Sequence, residues 1–251
     1  MTKTIAALLT MTFLIPPFSE TYAQDKSDNL SAEQILQQSD MSRNGWNSYF
    51  VHTTIENFVD GRKDDVGRFD VMIKGSNKTL VKFLNPDEKG EYLLMVDNDM
   101  WIYMPDTRKP IRITPLQRLM GDVSNGDVAR TRYAEDYSAT LLRSEVLEGT
   151  PCYVLDLKAK RDGATYNHII YWVAKGTDRP KRAEIYLTSG KHYKSIDFDK
   201  YEKVNGRVLL TRMTITDRLR NGRTTIMKYD SYAPKNFPEK YFNKDYLENL
   251  R

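Results

Sequence analysis

The chain is poor in the side chains that usually carry chemistry. Its 251 residues include one cysteine, Cys152, and three histidines, His52, His168 and His192. A lone cysteine excludes an internal disulfide, and no C-x-x-C pair is present to hold a metal. The histidines lie far apart without metal-ligand spacing, and His168, beside Ile169-Ile170-Tyr171, reads as a strand residue. No G-x-S-x-G elbow, H-E-x-x-H helix, Walker loop or G-x-G-x-x-G turn occurs. Cys152 opens an alternating strand with no base signature beside it, which suits a half-buried small residue better than a nucleophile. The acidic pairs Asp64-Asp65 and Asp97/Asp99 fall between strands, where Asp is favoured by its local hydrogen bonds. The expectation is a protein that is not an enzyme and needs no metal or cofactor.

Charge and hydropathy are restrained as well. The formal net charge of +4 is well short of a nucleic-acid footprint. The longest apolar run, residues 5–15, is too short to cross a bilayer as a helix. With Lys3 before it, Pro16-Pro17 after it and Thr21-Tyr22-Ala23 at its end, residues 1–23 read as a secretory signal cleaved after Ala23. Removing Lys3 and Glu20 leaves the charge at +4, and no cysteine stands at the cleavage point to take a lipid. An exported, soluble, periplasmic protein is expected. No linker, repeat or low-complexity stretch divides residues 24–251, so they are expected to form a single domain.

Most of that domain reads as β. Strands are expected over 49–58, 66–74, 79–84, 92–96, 100–104, 138–147, 152–160, 167–173, 181–188, 192–201, 207–217 and 224–230, with turn residues such as Asp60-Gly61 between them. Phe69, Val71 and Ile73 alternate with Arg68, Asp70 and Met72, Leu155 and Leu157 with Asp156 and Lys158, and Ile185 and Leu187 follow Arg182 and Glu184 in the same way. Roughly eleven or twelve strands without a βαβ rhythm indicate a large curved antiparallel sheet or an unclosed antiparallel barrel.

Helical signals are few. Ser31 with Gln34 makes a capping box and Leu30 with Ile35 a hydrophobic staple. In the middle of the chain, Thr114-Pro115-Leu116-Gln117 resembles a helix start with Gly121 as its stop, and Ser124-Asn125-Gly126-Asp127 resembles a second. Leu116, Leu119, Met120 and Val123 would form one narrow apolar face, a candidate lid. A short helix packed on the sheet is expected at 237–247.

Strand 100–104 is apolar on both faces, with Trp101 and Tyr103 on one and Met100, Ile102 and Met104 on the other. Two readings follow. Either the sheet has an ordinary core on one side and a packed helix on the other, or one face lines a ligand cavity under a helical lid. In the second, the flexible Met72, Met95, Met104, Met120, Met213 and Met227 would adapt to an apolar guest. The clusters Arg108/Lys109/Arg112 and Arg179/Lys181/Arg182 could meet acidic headgroups or serve as solubilising edge charges.

Several segments together resemble a known family. They are the exported leader, the capped first helix, Met-Trp-Ile-Tyr-Met-Pro at 100–105 with its basic sequel, and Ser124-Asn125-Gly126-Asp127 followed by Glu135-Asp136-Tyr137. With Arg179-Pro180-Lys181-Arg182-Ala183-Glu184 and the 237–250 ending, they are similar to the LolA-like outer-membrane lipoprotein-sorting proteins, in particular the branch found with RND-type exporters. The resemblance implies a LolA/LolB-like unclosed barrel with helices across its mouth and an interior that shields acyl chains. A ~16-carbon chain left in water costs on the order of 13 kcal/mol, which is what such an interior must offset.

On this reading Phe69, Val71, Ile73, Trp101, Tyr103, Leu155, Ile185 and Leu187 are expected on the concave face, and Leu116, Leu119, Met120 and Val123 on the lid. Implied partners are lipoprotein or lipid acyl chains, an inner-membrane RND-type exporter and an outer-membrane acceptor, with the protein a monomer. The carriers proper are shorter than this chain, and the cargo stays open between lipoprotein, phospholipid and another exported lipid. A different class of function is a periplasmic adaptor for an RND-type exporter or for envelope assembly that carries nothing and binds protein through its sheet edge. A lipid hydrolase is a third.

Overall fold

The Ser31 hydroxyl accepts from the Gln34 N–H, and the Gln34 side chain accepts in return from the Ser31 N–H. This reciprocal cap starts helix α1 (Ala32–Arg43), and Leu30 and Ile35 both join the main apolar cluster, as the staple requires. The computed structural model describes residues 30–107, 109–129 and 132–250; the leader expected over 1–23 lies outside them.

Beyond α1 the chain forms a 13-stranded antiparallel sheet. Its first part is a meander of β1 (Ser48–Val59), β2 (Arg62–Lys74), β3 (Lys78–Phe83), β4 (Tyr92–Val96), β5 (Asp99–Tyr103) and β6 (Ile111–Ile113). An insert follows, with the small hairpin β7 (Arg118–Met120) and β8 (Val123–Ser124) and the short helices α2 (Asn125–Ala129) and α3 (Tyr133–Asp136). The second part runs through β9 (Tyr137–Leu147), β10 (Thr150–Ala159), β11 (His168–Ala174), β12 (Pro180–Tyr186), β13 (His192–Val204), β14 (Arg207–Asp217) and β15 (Arg223–Pro234). β15 pairs with β1 and joins the two meanders, so the edges are β6 and β9 and the sheet stays unclosed. At the β1–β2 hairpin Asp60 and Gly61 take φ of 49° and 75°, a pair of left-handed residues whose twist matches that of the strands they join.

The unclosed antiparallel architecture is the expected one, and β6 is the strand that sequence reading lacked. One face of the sheet carries the main cluster, drawn from β1–β5 and β9–β15 and covered by α1, Val123 and the residues of α2 and α3. The opposite face carries two smaller clusters. One gathers Leu80, Tyr92, Leu94 and Tyr103 under Phe237, Phe242 and Leu247; the other gathers Cys152, Val154, Trp172 and Ala174. Cys152 is buried there.

Three expectations need correction. The helix read from Thr114 to Gly121 is a turn and a hairpin. Gln117 does return its bond to the Thr114 N–H, at 2.7 Å, but Gly121 at φ 54° reverses the chain. The Asn125 and Gly126 N–H groups then donate to Gln117 O and Pro115 O. So few residues between Pro115 and Gly121 cannot repay helix nucleation, whereas cross-chain bonds can satisfy the same groups. The C-terminal helix is instead two 3-10 stretches, Glu239–Phe242 and Lys244–Asn249. Finally, Trp101 and Tyr103 face away from the main cluster, which takes Met100 and Ile102 from the same strand; the strict alternation of a strand makes the two sets exclusive.

Candidate functional site

The inward face is the candidate site. Of the residues expected to line it, Phe69, Val71, Ile73, Leu155 and Ile185 lie in the main cluster, and Val71 and Ile73 line a small cavity at its centre. Trp101 and Tyr103 lie on the other face, and Leu187 sits half-exposed in the turn beyond β12, where its N–H donates to Lys191 O. Of the expected lid, Val123 is buried and Leu119 and Met120 pack half-buried against the cluster, whereas Leu116 is 48% exposed on the preceding turn. Met95, Met213 and Met227 belong to the cluster; Met72 packs on the opposite face.

The cavity measures about 20 Å³, room for roughly one water. The inward surface is therefore filled by its own side chains. It also holds polar groups that sequence reading missed. Ile35, Leu36, Ser39, Asp40 and Arg43 form the buried face of α1, so an acid and a base lie on the stripe that packs inward. The Arg43 guanidinium stands 5.2 Å from the Tyr133 ring centroid and 5.3 Å from that of Phe198. Burial works against its charge, but Tyr133, Tyr229, Tyr171 and Asp40 outweigh burial and hold its pKa above the ordinary arginine value. Its Nη1 and the Thr53 hydroxyl, both at the cavity, have no hydrogen-bond partner among the described residues.

Polar bonds fasten the cover. The Tyr133 and Ala134 N–H groups donate to Asp40 at 2.9 and 2.7 Å, tying α3 to α1. The Ala139 N–H donates to Glu33 at 2.9 Å, and Arg161 holds Asp136 at the end of α3. The strongest fastening lies under the hairpin. Lys194 on β13 is 1% exposed and donates to Asp127 at 2.7 Å, to Asp122 O at 2.9 Å and to Ser124 Oγ at 3.3 Å. Tyr166 donates to the other oxygen of Asp127 at 2.7 Å. The Ser124-Asn125-Gly126-Asp127 turn is thus the docking point of the insert, and Gly126 is required because a Cβ there would collide with the Thr165 side chain.

No group of three or more His, Cys, Asp or Glu that could hold a metal occurs among the described residues. No helix among them is long and apolar enough to cross a membrane.

Two predictions follow from these fastenings. Lys194→Met leaves Asp127 buried without its cation and should cost about 3–5 kcal/mol in urea unfolding, whereas adding Asp127→Leu should restore much of it; equal stability of single variant and wild type would remove the pair from its anchoring role. Burial pushes the Asp40 carboxyl from 3.8 up to about 6, against the Tyr133 and Ala134 bonds and Arg43. Because the folded protein holds this proton more tightly than the unfolded chain, ionised Asp40 is a cost above pH 6 that is relieved as pH falls toward 4. The stability of wild type relative to Asp40→Asn should therefore rise over that window, by on the order of 3 kcal/mol at most. A difference independent of pH would contradict the assignment.

Comparison with known proteins bears on the same fold. A family model described as "Uncharacterized protein" matches residues 75–249. A LolA superfamily protein from Nitrosomonas europaea is 32% identical, with a TM-score of 0.81 over 86% of this chain and 99% of its own. A DUF1329 family protein from Desulfovibrio piger is 22% identical, with a TM-score of 0.75 over 86% of this chain and 97% of its own. A domain named as an outer-membrane lipoprotein-sorting protein, from Vibrio parahaemolyticus, is 20% identical, with a TM-score of 0.75 over 86% and 98%. No curated protein matches significantly.

Proposed function

This chain belongs to the LolA superfamily, and we propose that it is an exported carrier that shields acyl chains of lipoproteins or lipids inside its curled sheet and ferries them toward the outer membrane. The observation that carries this reading is the inward apolar face: strands from both halves of an unclosed sheet contribute to one cluster, under a cover that packs apolar side chains on it and is held in position by polar bonds. Such a cover can lift without a cavity having to exist beforehand. An acyl chain of ~16 carbons, worth on the order of 13 kcal/mol removed from water, can replace the contacts it displaces. Met95, Met213 and Met227 are unbranched and repack readily around a guest. The sequence carries no nucleotide-binding motif, so loading draws on a partner, an inner-membrane RND-type exporter or an ATPase, and unloading on an outer-membrane acceptor.

A second reading, the adaptor that carries nothing, is favoured by the free edge strand β9. Leu141, Leu142 and Val146 are exposed on it, Val146 by 68%. It predicts partner capture without lipid.

Trp46 packs against the main cluster, whereas Trp101 and Trp172 belong to the opposite face. In a Trp101→Phe/Trp172→Phe background, a brominated synthetic lipopeptide should quench Trp46 and saturate at one lipopeptide per protein. Leu119→Asp, on the hairpin, should weaken that quenching without loss of fold. Unquenched Trp46, with exporter captured all the same, would favour the adaptor.

A further inference from the structure

The outer face of the sheet carries a surface that the carrier reading does not use. Phe50, Met72, Leu80, Leu94 and Trp101 are successive cross-strand partners and form one apolar row over β1–β5. At ~4.8 Å between strands the row is about 19 Å long. The next row, His52, Asp70, Lys82 and Tyr92, is mostly polar. The C-terminal turns cover the middle of the apolar row through Phe237, Phe242 and Leu247. They leave a groove of about 420 Å³ at its β1–β3 end, about twenty times the inner cavity, floored by the half-buried Phe50 and Met72 with the fully buried Leu80 beneath.

The rim is cationic. Lys82, Lys235 and Lys240 line the groove, and Asp70, the one carboxylate among the lining residues, is held by His52 at 2.8 Å. Glu239 nearby is taken by Lys74 and Lys78. Lys82 and Lys235 have no carboxylate partner among the described residues, and Lys235 lies 5.5 Å from the Phe237 ring centroid.

We propose that this groove binds a long-chain fatty acid, the chain lying over Phe50 and Met72 and the carboxylate at the Lys82/Lys235 rim. The volume is at the lower end of the ~300–1,000 Å³ of small-molecule clefts, which suits one chain. An extended peptide finds no free backbone here, because β1, β2 and β3 are each paired on both sides. A flat bilayer surface does not fit a concavity overhung by residues 235–250. The site is separate from the inward face and does not depend on it.

The test is titration of the full mature chain with a fluorescent long-chain fatty acid and with its methyl ester. Lys82→Glu/Lys235→Glu should weaken the acid by roughly tenfold or more and change the ester by no more than about twofold, with circular dichroism and melting temperature confirming the fold. No binding of the acid by wild type, equal binding by the double variant, or equal loss of acid and ester would each overturn the proposal. So would binding only to anionic vesicles, which would indicate membrane docking.

Two reporters separate this site from the interior. A brominated fatty acid should quench a tryptophan placed by Tyr241→Trp, in a background where Trp46, Trp101 and Trp172 are phenylalanine, whether or not it also enters the interior and quenches Trp46 when Trp46 is the sole tryptophan. Quenching of Trp46 alone would overturn the groove and leave the carrier reading standing. Quenching at Tyr241→Trp, with the lipopeptide failing to reach Trp46, would retain the groove and reject the carrier.

Discussion

A sheet whose two edge strands never meet cannot cover its own inward face. Thirteen strands curl far enough to face one another but stop at β6 and β9, and their inward residues are apolar nearly throughout. Everything else in the fold answers that constraint. α1 lies against the face and the insert between β6 and β9 spans it; Glu33 ties α1 to β9, Asp127 ties the insert to β13, and Asp40 ties α1 to α3. Apolar burial supplies the bulk of the driving force, at about 25 cal/mol per Å². The bonds of Asp40, Glu33 and Lys194 supply position, because an unpaired buried charge costs far more than a shifted apolar contact.

The two fastenings differ in kind. Lys194 and Asp127 are both nearly inaccessible and fully engaged, which fixes the hairpin and α2 firmly on β13. Asp40 holds α3 through backbone N–H groups while burial disfavours its charge. The end of the cover at α1 and α3 thus rests on a carboxyl whose charge burial disfavours, and on the carrier proposal opening would begin there. Arg43 and the tyrosines around it lie directly beneath that end.

Much of this was legible in the sequence. The cap at Ser31, the alternation in β2 and β10 and the turn at Asp60-Gly61 depend on residues close in the chain, and all three form as read. The losses came where a distant partner decides. Thr114 and Gln117 make their local bond, but whether a helix follows depends on what Asn125 and Gly126 offer from across the hairpin. Trp101 and Tyr103 share a face as the alternation requires, but it is the outer one, since alternation gives the two sets without saying which points inward. Lys194 and Arg43 were invisible because a buried cation is marked only by its tertiary partners. Asp40 and Arg43 falling on the stripe with Ile35 and Leu36 was the available signal.

The central claim is that the inward face takes up acyl chains, and native mass spectrometry with lipid extraction tests it most directly, on protein isolated from its own periplasm without detergent. The account predicts a stoichiometric acyl-bearing mass in addition to the polypeptide. A bare polypeptide mass, with no acyl-bearing species recovered by lipid extraction, would contradict it.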